Sequence, residues 1–277
     1  MVCMRIAHNN QIRDFQDFIW DFYAHNRRDF AWRGVEDPYK VFVSELMLQQ
    51  TQTHRVAPKF ELFVRELPNF EALAQVPLRD LLRLWQGLGY NRRALFLQKS
   101  AQKVVAEYAG LLPANPEILI TFPGIGKATA GSICAFAFNM PTVFIETNIR
   151  AVFIHSFFRD KVTISDAEIM PLIEQTLPVD SPREWYYALM DYGVVLKQQC
   201  ANPSRKSAHH LIQSRFQGSN RQIRGAIVRL LTKNQSMTEV ALIQALEKDA
   251  DRVKKIVEQL CCEGFLKRAK RALEIAE

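Results

Sequence analysis

Apolar residues recur at helical spacing along most of this chain, and that periodicity restricts the fold more than any other feature. Ile12, Phe15, Ile19, Phe22 and Tyr23 fall on one helix face; Leu81, Leu82, Trp85 and Leu88 fall on a second; Leu95, Leu97, Ala101, Val104 and Val105 fall on a third. Spacings of three and four residues mark helices with one face turned to a core. Alternating strand-like runs are scarce, and Pro38, Pro68, Pro77, Pro113, Pro116, Pro141, Pro171, Pro178 and Pro182 punctuate short loops. An all-α body is therefore expected, with no internal repeat and no low-complexity tract.

Composition sets the scale of that body. With 277 residues, 48% of them hydrophobic and only 11 Gly, the chain has enough apolar surface for one large domain, alone or with a small appendage. No stretch approaches the ~20 uncharged apolar residues of a membrane span, and MVCMRIAHNN carries no apolar signal core. Cys3, Cys134, Cys200, Cys261 and Cys262 are odd in number and show no C-x-x-C spacing, which fits a reducing cytoplasm. The charge of +7 is uneven: residues 201–277 hold 15 Lys/Arg against 8 Asp/Glu, leaving 21 of each in residues 1–200. A basic C-terminal part suits a polyanion, most simply nucleic acid, although a solvated charged surface has the same composition.

Leu119–Arg150 holds the densest local signal. Gly124 and Gly126 flank Ile125 in a Pro-Gly-Ile-Gly turn, where the absence of a Cβ permits positive φ and close approach of a phosphate. The N–H groups of the next helix and the charge of Lys127 favour an anion there, with Thr129 in its first turn. Ile118, Leu119 and Phe122 read as the apolar side of a short preceding helix. Two readings fit these residues alone: a DNA-backbone clamp, or an ordinary corner at which Pro-Gly ends a helix. Twenty residues after Gly126 comes a single carboxylate, Glu146.

Asp37–Gln52 opens with Asp37 as cap and Pro38 at the first helical position. Val41, Phe42, Val43, Leu46, Met47 and Leu48 make the helix apolar almost all round, so it is expected to be buried, with Glu45 in its midst. A buried carboxylate must be paired or neutralised. Glu45 is then either an acid raised toward a working pKa or one half of a structural ion pair.

Residues 200–220 are polar and weakly patterned, as in a linker or arm. Beyond them Gln222–Leu231 predicts a helix, Ser236-Met237-Thr238-Glu239 a capping box opening a second, Asp251–Cys262 a third ended by Gly264, and Phe265–Ile275 a short hairpin with Lys267, Arg268, Lys270 and Arg271. That order fits a winged helix, with a helical docking or dimerisation tail as the other reading. The domains are set accordingly at 1–218 and 219–277.

Trp32-Arg33, Ser44-Glu45-Leu46-Met47-Leu48-Gln49-Gln50-Thr51-Gln52, Leu84-Trp85-Gln86-Gly87-Leu88-Gly89-Tyr90, Phe122-Pro123-Gly124-Ile125-Gly126-Lys127 and Met190-Asp191-Tyr192-Gly193 together resemble the helix-hairpin-helix (HhH-GPD) DNA glycosylase superfamily, closest to its MutY-like adenine glycosylases. The resemblance runs from about residue 10 to about residue 200. It implies a two-lobed all-helical fold with a substrate cleft between the lobes, and excision of a mispaired or damaged base, adenine favoured, from double-stranded DNA. Another base, such as uracil, thymine or a deaminated one, and a catalytically silent DNA-binding protein are the alternatives. By position Glu45 resembles the catalytic acid; Gln49, Gln50 and Tyr90 resemble residues that enter the DNA stack; Trp32 and Arg33 lie in the segment that lines the base pocket. Such parts suit a base that must leave the duplex to be reached.

The chain departs from that family at four places. Where members write D-G-N-V-x-R this chain has Glu146-Thr147-Asn148-Ile149-Arg150-Ala151, so the second carboxylate, expected to stabilise a positively charged sugar, sits one methylene further out unless it folds back. Ala128 stands where bifunctional relatives carry a nucleophilic lysine, implying a glycosylase without lyase activity. Of the family's four cluster cysteines, C-x6-C-x2-C-x5-C, only Cys200 has a counterpart; the others fall on Ser207, His210 and Phe216, so no iron–sulfur cluster and no other metal or cofactor is expected, and His209 and His210 are expected at the surface. The family's larger C-terminal domain is expected to be replaced by the short basic unit. A monomer in the cytoplasm, associated with the nucleoid, completes the expectation.

Overall fold

In the computed structural model the described residues are 9–210 and 213–276; Cys3 lies outside them. The helices run α1 (Asn9–Asn26), α2 (Pro38–Leu48), α3 (Thr53–Glu66), α4 (Phe70–Gln75), α5 (Leu78–Trp85), α6 (Arg92–Tyr108), α7 (Pro116–Leu119) and α8 (Lys127–Phe138). There follow α9 (Thr147–Phe157), α10 (Asp166–Thr176), α11 (Pro182–Gln199), a 3-10 turn at Pro203–Lys206, and α12 (Asn220–Lys233). The chain closes with β1 (Ser236–Thr238), α13 (Glu239–Leu246), α14 (Ala250–Cys262), β2 (Leu266–Ala269) and β3 (Ala272–Ile275). No helix among the described residues is long and apolar enough to cross a membrane.

The chain forms two compact units: residues 1–42, 114–121 and 125–212 make the first, and residues 43–113, 122–124 and 213–277 the second. In the first unit α11 packs on α9 and α1, α9 also meets the 3-10 turn, and α8 packs on α11. Phe15, Ile19 and Tyr23 of α1 are buried as the periodicity predicts; Ile12 and Phe22 are half-buried. Phe15 sits edge-on to Trp185 at 5.9 Å and Trp185 is fully buried. Truncating such an aromatic to Ala costs on the order of 3–5 kcal/mol.

The second unit is built on α6, which packs against α4 and α5. Leu81, Leu82 and Trp85 of α5 are buried as expected; the helix ends at Trp85, so buried Leu88 belongs to the following turn. Residues 213–277 belong to this same unit: α12 packs on α5, the Arg79 guanidinium donates to Gln235 O (2.6 Å), and Glu263 accepts from Arg92 (2.5 Å) and from Arg224. Their small sheet has the order β1-β3-β2, antiparallel throughout, with Met237 opposite Leu273 and Lys267 opposite Glu274.

Two local expectations are corrected. Ser236 and Met237 lie in β1, so the predicted capping box is replaced by Thr238 alone, whose Oγ1 accepts from Ala241 N (3.2 Å); Glu239 instead pairs with Arg268 (2.9 Å). Strand pairing to β3 outcompetes the local cap. Within residues 200–220, predicted as a polar linker, Pro203–Lys206 forms a 3-10 turn and Ile164 bridges Ser207 in parallel. Ser204 Oγ donates to Thr147 O (2.9 Å) and Lys206 Nζ to Arg159 O (2.8 Å), so hydrogen bonds to a helix-bearing neighbour supply the order that apolar patterning does not.

Candidate active site and nucleic-acid interface

The helix bearing Glu45 forms as its sequence dictates. Asp37 Oδ1 accepts from Tyr39 N (3.0 Å), Pro38 occupies the first turn, and Val41, Phe42, Val43, Leu46 and Met47 are buried. Glu45 is half-buried between buried Ser44 and Leu46, which gives its carboxylate an edge of the core rather than the centre that the apolar pattern predicts. One helical turn further on, α2 stops and Gln50 adopts a left-handed backbone (φ 53°).

Arg93 explains why the chain turns there. Its Nη1 donates to Leu46 O (2.8 Å), Met47 O (2.8 Å) and Gln49 O (2.6 Å), the carbonyls orphaned at the end of α2. Its Nη2 donates to Thr51 Oγ1 (2.8 Å), Leu88 O (3.2 Å) and Gly89 O (3.2 Å). The guanidinium also stands over the rings of Trp85 (5.4 Å) and Tyr90 (5.5 Å). Burial pulls its pKa down to about 10. One cation thus fixes the Gln49-Gln50 turn to the Gly87–Tyr90 turn, in which Gly87, Gly89 and Tyr90 all have positive φ (94°, 74° and 46°).

The hairpin glycine joins the same assembly. Gly124 has φ +74°, and a Cβ there would lie 2.5 Å from a Phe96 ring carbon, so both conformation and close packing require glycine. Gln49 Nε2 donates to Gly124 O (3.2 Å). Gly126 differs from its expectation: its φ is −93°, an extended N-cap to α8, and a Cβ there would meet nothing within 4 Å. Its value is the open approach it leaves, because it offers α8 no side-chain cap. Ile125 is buried and anchors the hairpin, while Lys127 and Ala128 are exposed and Thr129 half-buried. The preceding helix, α7, is a single turn capped by Asn115, whose Oδ1 accepts from Glu117 N (2.8 Å); Phe122 is buried beyond its end.

Glu146 is the N-cap of α9. Its Oε1 accepts from Asn148 N (2.6 Å) and Ile149 N (2.8 Å), and its Oε2 from Asn148 Nδ2 (3.2 Å). The added methylene is therefore folded back onto the helix start, where the dipole complements negative charge. Two glycines bring this turn into place: a Cβ on Gly193 of α11 would lie 2.7 Å from Asn148 O, and one on Gly131 of α8 would lie 2.9 Å from Phe144 Cβ. Lys197 Nζ donates to Asn148 Oδ1 (2.7 Å). Burial lowers the Lys197 pKa, opposed by the charge of Glu146. Arg150, displaced by one position from the family's arginine, makes a two-pronged pair with Asp166 (2.7 and 2.8 Å), and that hydrogen bonding holds Asp166 below the usual carboxylate range.

Trp32 and Arg33 are both buried. Trp32 stacks on Phe30 at 4.8 Å, and Arg33 grips Asp191 with two bonds (2.7 and 2.8 Å) while standing over the Tyr187 ring (4.5 Å). Arg28 adds two more bonds to the same carboxylate. The Met190-Asp191-Tyr192-Gly193 block is thereby explained: Asp191 ties the Trp32 segment to α11, and Gly193 lets α11 reach the Glu146 turn.

Residues 43–178 match the family described as HhH-GPD superfamily base excision DNA repair protein. These residues place the chain in the HhH-GPD superfamily. An adenine DNA glycosylase of Buchnera aphidicola subsp. Baizongia pistaciae is 34% identical to this HhH-GPD chain over 187 residues, 66% of the chain and 52% of that protein. One from Mycolicibacterium smegmatis is 29% identical over 229 residues, 76% and 78% of the two chains, and one from Homo sapiens is 31% identical over 198 residues, 67% and 36%. The chain spans about half the length of the Buchnera relatives it matches. Among solved structures, a thermostable thymine-DNA glycosylase superposes with a TM-score of 0.61 at 22% identity over 71% of this chain and 98% of that one. A non-covalent endonuclease III–DNA complex gives 0.60 at 17% over 72% and 98%. At those identities the structural likeness speaks for the fold, all-helical with a small appended sheet.

This HhH-GPD chain has no group of three or more His, Cys, Asp or Glu set to hold a metal among its described residues. Cys200 is exposed at the end of α11 with its thiol directed to Leu196 O (3.2 Å), Ser207 is buried with its Oγ accepting from His209 N (3.1 Å), and His209 and His210 are exposed. A single thiolate does not fit an iron–sulfur cluster. The sequence reading missed Arg93, Phe96 and Lys197. Arg93 had a signal, a cation two residues into an otherwise apolar helix face; Lys197 had none.

Proposed function

We propose that this chain is a monofunctional base-excision DNA glycosylase, adenine favoured, which flips a mispaired or damaged base from duplex DNA and hydrolyses its N-glycosidic bond. The observation that carries the reading is the convergence of three segments distant in sequence, Gln49-Gln50, Leu88–Tyr90 and Gly124, onto Arg93 and Phe96, one helical turn from Glu45. Glycine-rich backbone, amides and an aromatic gathered on one cation, a helical turn from an acid, suit entry into a DNA stack beside a reacting nucleotide. The adenine DNA glycosylases among the relatives support the choice of base.

In this scheme Glu45 protonates a ring nitrogen of the extruded base, the C1′–N bond breaks with its electron pair leaving on the base, and water adds to C1′ and loses a proton. The positive charge that builds on the sugar calls for a carboxylate, the role assigned to Glu146, which its cap bonds preorganise. Ala128 offers no amine for a Schiff base, so the product is an intact abasic site. No iron–sulfur cluster takes part, since the donor set does not fit one. Trp32 lines the base pocket, with Arg33 holding its segment in place.

Release of free base from a panel of duplexes, carrying adenine, uracil, thymine or a deaminated base in each mismatch, tests the proposal. Adenine release should lead the panel; silence on every duplex would favour a DNA-binding protein that keeps the scaffold.

A further inference from the structure

The basic C-terminal residues do more than add charge. Within the second unit a cleft of about 710 Å³ lies between the Gln49-Gln50 and Tyr90 turns and the segment 213–228 with Leu260 and Phe265, so nearly half its wall comes from outside the part of the chain that matches the family. Tyr90 and Phe216 present partly and largely exposed rings to it (37% and 60%), Gln49 and Gln50 present amides, and Arg55 and Arg221 present guanidiniums. Arg221 Nη1 donates to Tyr90 Oη (3.0 Å) and Nη2 to Ser214 O (2.6 Å), which ties the arm to the aromatic of the opposite wall. Gln213 donates to the same hydroxyl.

One residue on this wall has no folding explanation. Gly225 lies inside α12, where glycine is poorly suited to a helix, and a Cβ at that position would meet nothing within 4 Å. It faces the cleft. Alanine would favour the helix and clash with nothing, so the glycine serves the empty space in front of it.

We propose that this cleft is a nucleotide subsite for a DNA strand, with a base stacked among Tyr90 and Phe216 and a phosphate on Arg221, and with Gly225 as the gap that admits it. Rings, amides and guanidiniums around a space of this size are the chemistry of one nucleotide. The inference rests on the DNA reading above and extends it: the C-terminal residues contribute a subsite rather than a diffuse basic surface.

The test measures affinity for a duplex carrying a stable abasic-site analogue, across a salt series, by fluorescence anisotropy, using the full chain. Phe216→Ala should weaken binding by about 5- to 100-fold, as loss of one stacked base does, with the salt slope unchanged. Arg221→Ala should reduce that slope by about one unit, and Arg221→Lys should restore it. Gly225→Ala should raise the melting temperature while lowering affinity, and Gly225→Leu should lower affinity at least tenfold, a pairing that a purely structural glycine would not give. Wild-type affinity and salt slope in Phe216→Ala, Arg221→Ala and Gly225→Leu would overturn the subsite and leave the glycosylase reading untouched. Binding losses as expected, in a protein that releases no base from any duplex, would uphold the subsite and remove the catalytic reading.

Discussion

Replacing Arg93 by Met keeps most of the side-chain volume and removes five hydrogen-bonded carbonyls and one hydroxyl from their donor. Four of those six bonds are 2.8 Å or shorter. Each bond to a charged group is worth about 1.5–3 kcal/mol in isolation, so a simple sum over the four reaches ~6–12 kcal/mol, which rivals the whole ~5–15 kcal/mol stability of a domain. That sum is too large. Burial of the charge opposes it, as the downward pull on the Arg93 pKa records, and the freed carbonyls near Gln49 and Gly89 lie close enough to the surface to recruit water. A net loss of about 3–4 kcal/mol remains, in line with breaking a buried charge network. Urea denaturation read by circular dichroism should show it as a lower midpoint, and melting should fall by roughly 6–16 °C at ~2–4 °C per kcal/mol. Arg93→Lys, which keeps the charge but not the fork, should recover less than half of the loss. Because the same bonds hold the Gln49-Gln50 and Tyr90 turns, DNA affinity should fall in parallel below the melting transition. A loss under about 1 kcal/mol together with unchanged DNA binding would refute the reasoning, since Arg93 would then be a spectator in a turn that holds itself.

Glu146→Gln keeps an acceptor for the α9 amides but removes the charge, so stability should stay within about 1 kcal/mol while single-turnover base release falls ~100-fold; an unchanged rate would reduce Glu146 to a helix cap. Gly193→Ala forces a Cβ to 2.7 Å from Asn148 O and should lower the melting temperature and the rate together, whereas stability at the wild-type level would show that α11 has slack at this crossing. Borohydride trapping should leave wild-type protein uncrosslinked to its DNA product, and a high yield of adduct would restore a lyase step. Glu168 is held down at about 2, first by its hydrogen bond to Lys161 and then by Ser165, so its stabilising contribution is complete above its ordinary value near 4.5 and vanishes as the pH falls toward 2. Glu168→Gln should therefore be destabilised relative to wild type at pH 7 and equal to it near pH 2, as followed by thermal melts across that range.

The helical body was legible because each helix carries its own apolar face, and the Asp37-Pro38 start of α2 declared itself through cap and φ preference. The candidate site was legible in its motifs but not in its supports. Arg93 stands on an apolar helix face, which marks it as unusual, but its partners, the carbonyls from residues 46–49 and 88–89 that converge on it, are a fact of tertiary structure. Gly193 and Gly131 read as weak points in helices and are close-packing contacts. Ser236-Met237-Thr238-Glu239 misled because a local capping pattern competes with strand pairing to residues 36 positions away, such as Met237 with Leu273. In the basic hairpin Lys267 and Arg268 are paired with Glu274 and Glu239, while Lys270 and Arg271 stand exposed at its tip, a division that composition alone does not show.

Base release by Glu45→Gln tests the central claim most directly. On the best duplex of the panel, with enzyme in excess and DNA saturated, the substitution keeps the shape of α2 and removes the proton that the leaving base requires. The account predicts a rate lower by about 10²–10⁴-fold with DNA affinity within a few-fold of wild type. Base release by Glu45→Gln at the wild-type rate would contradict it.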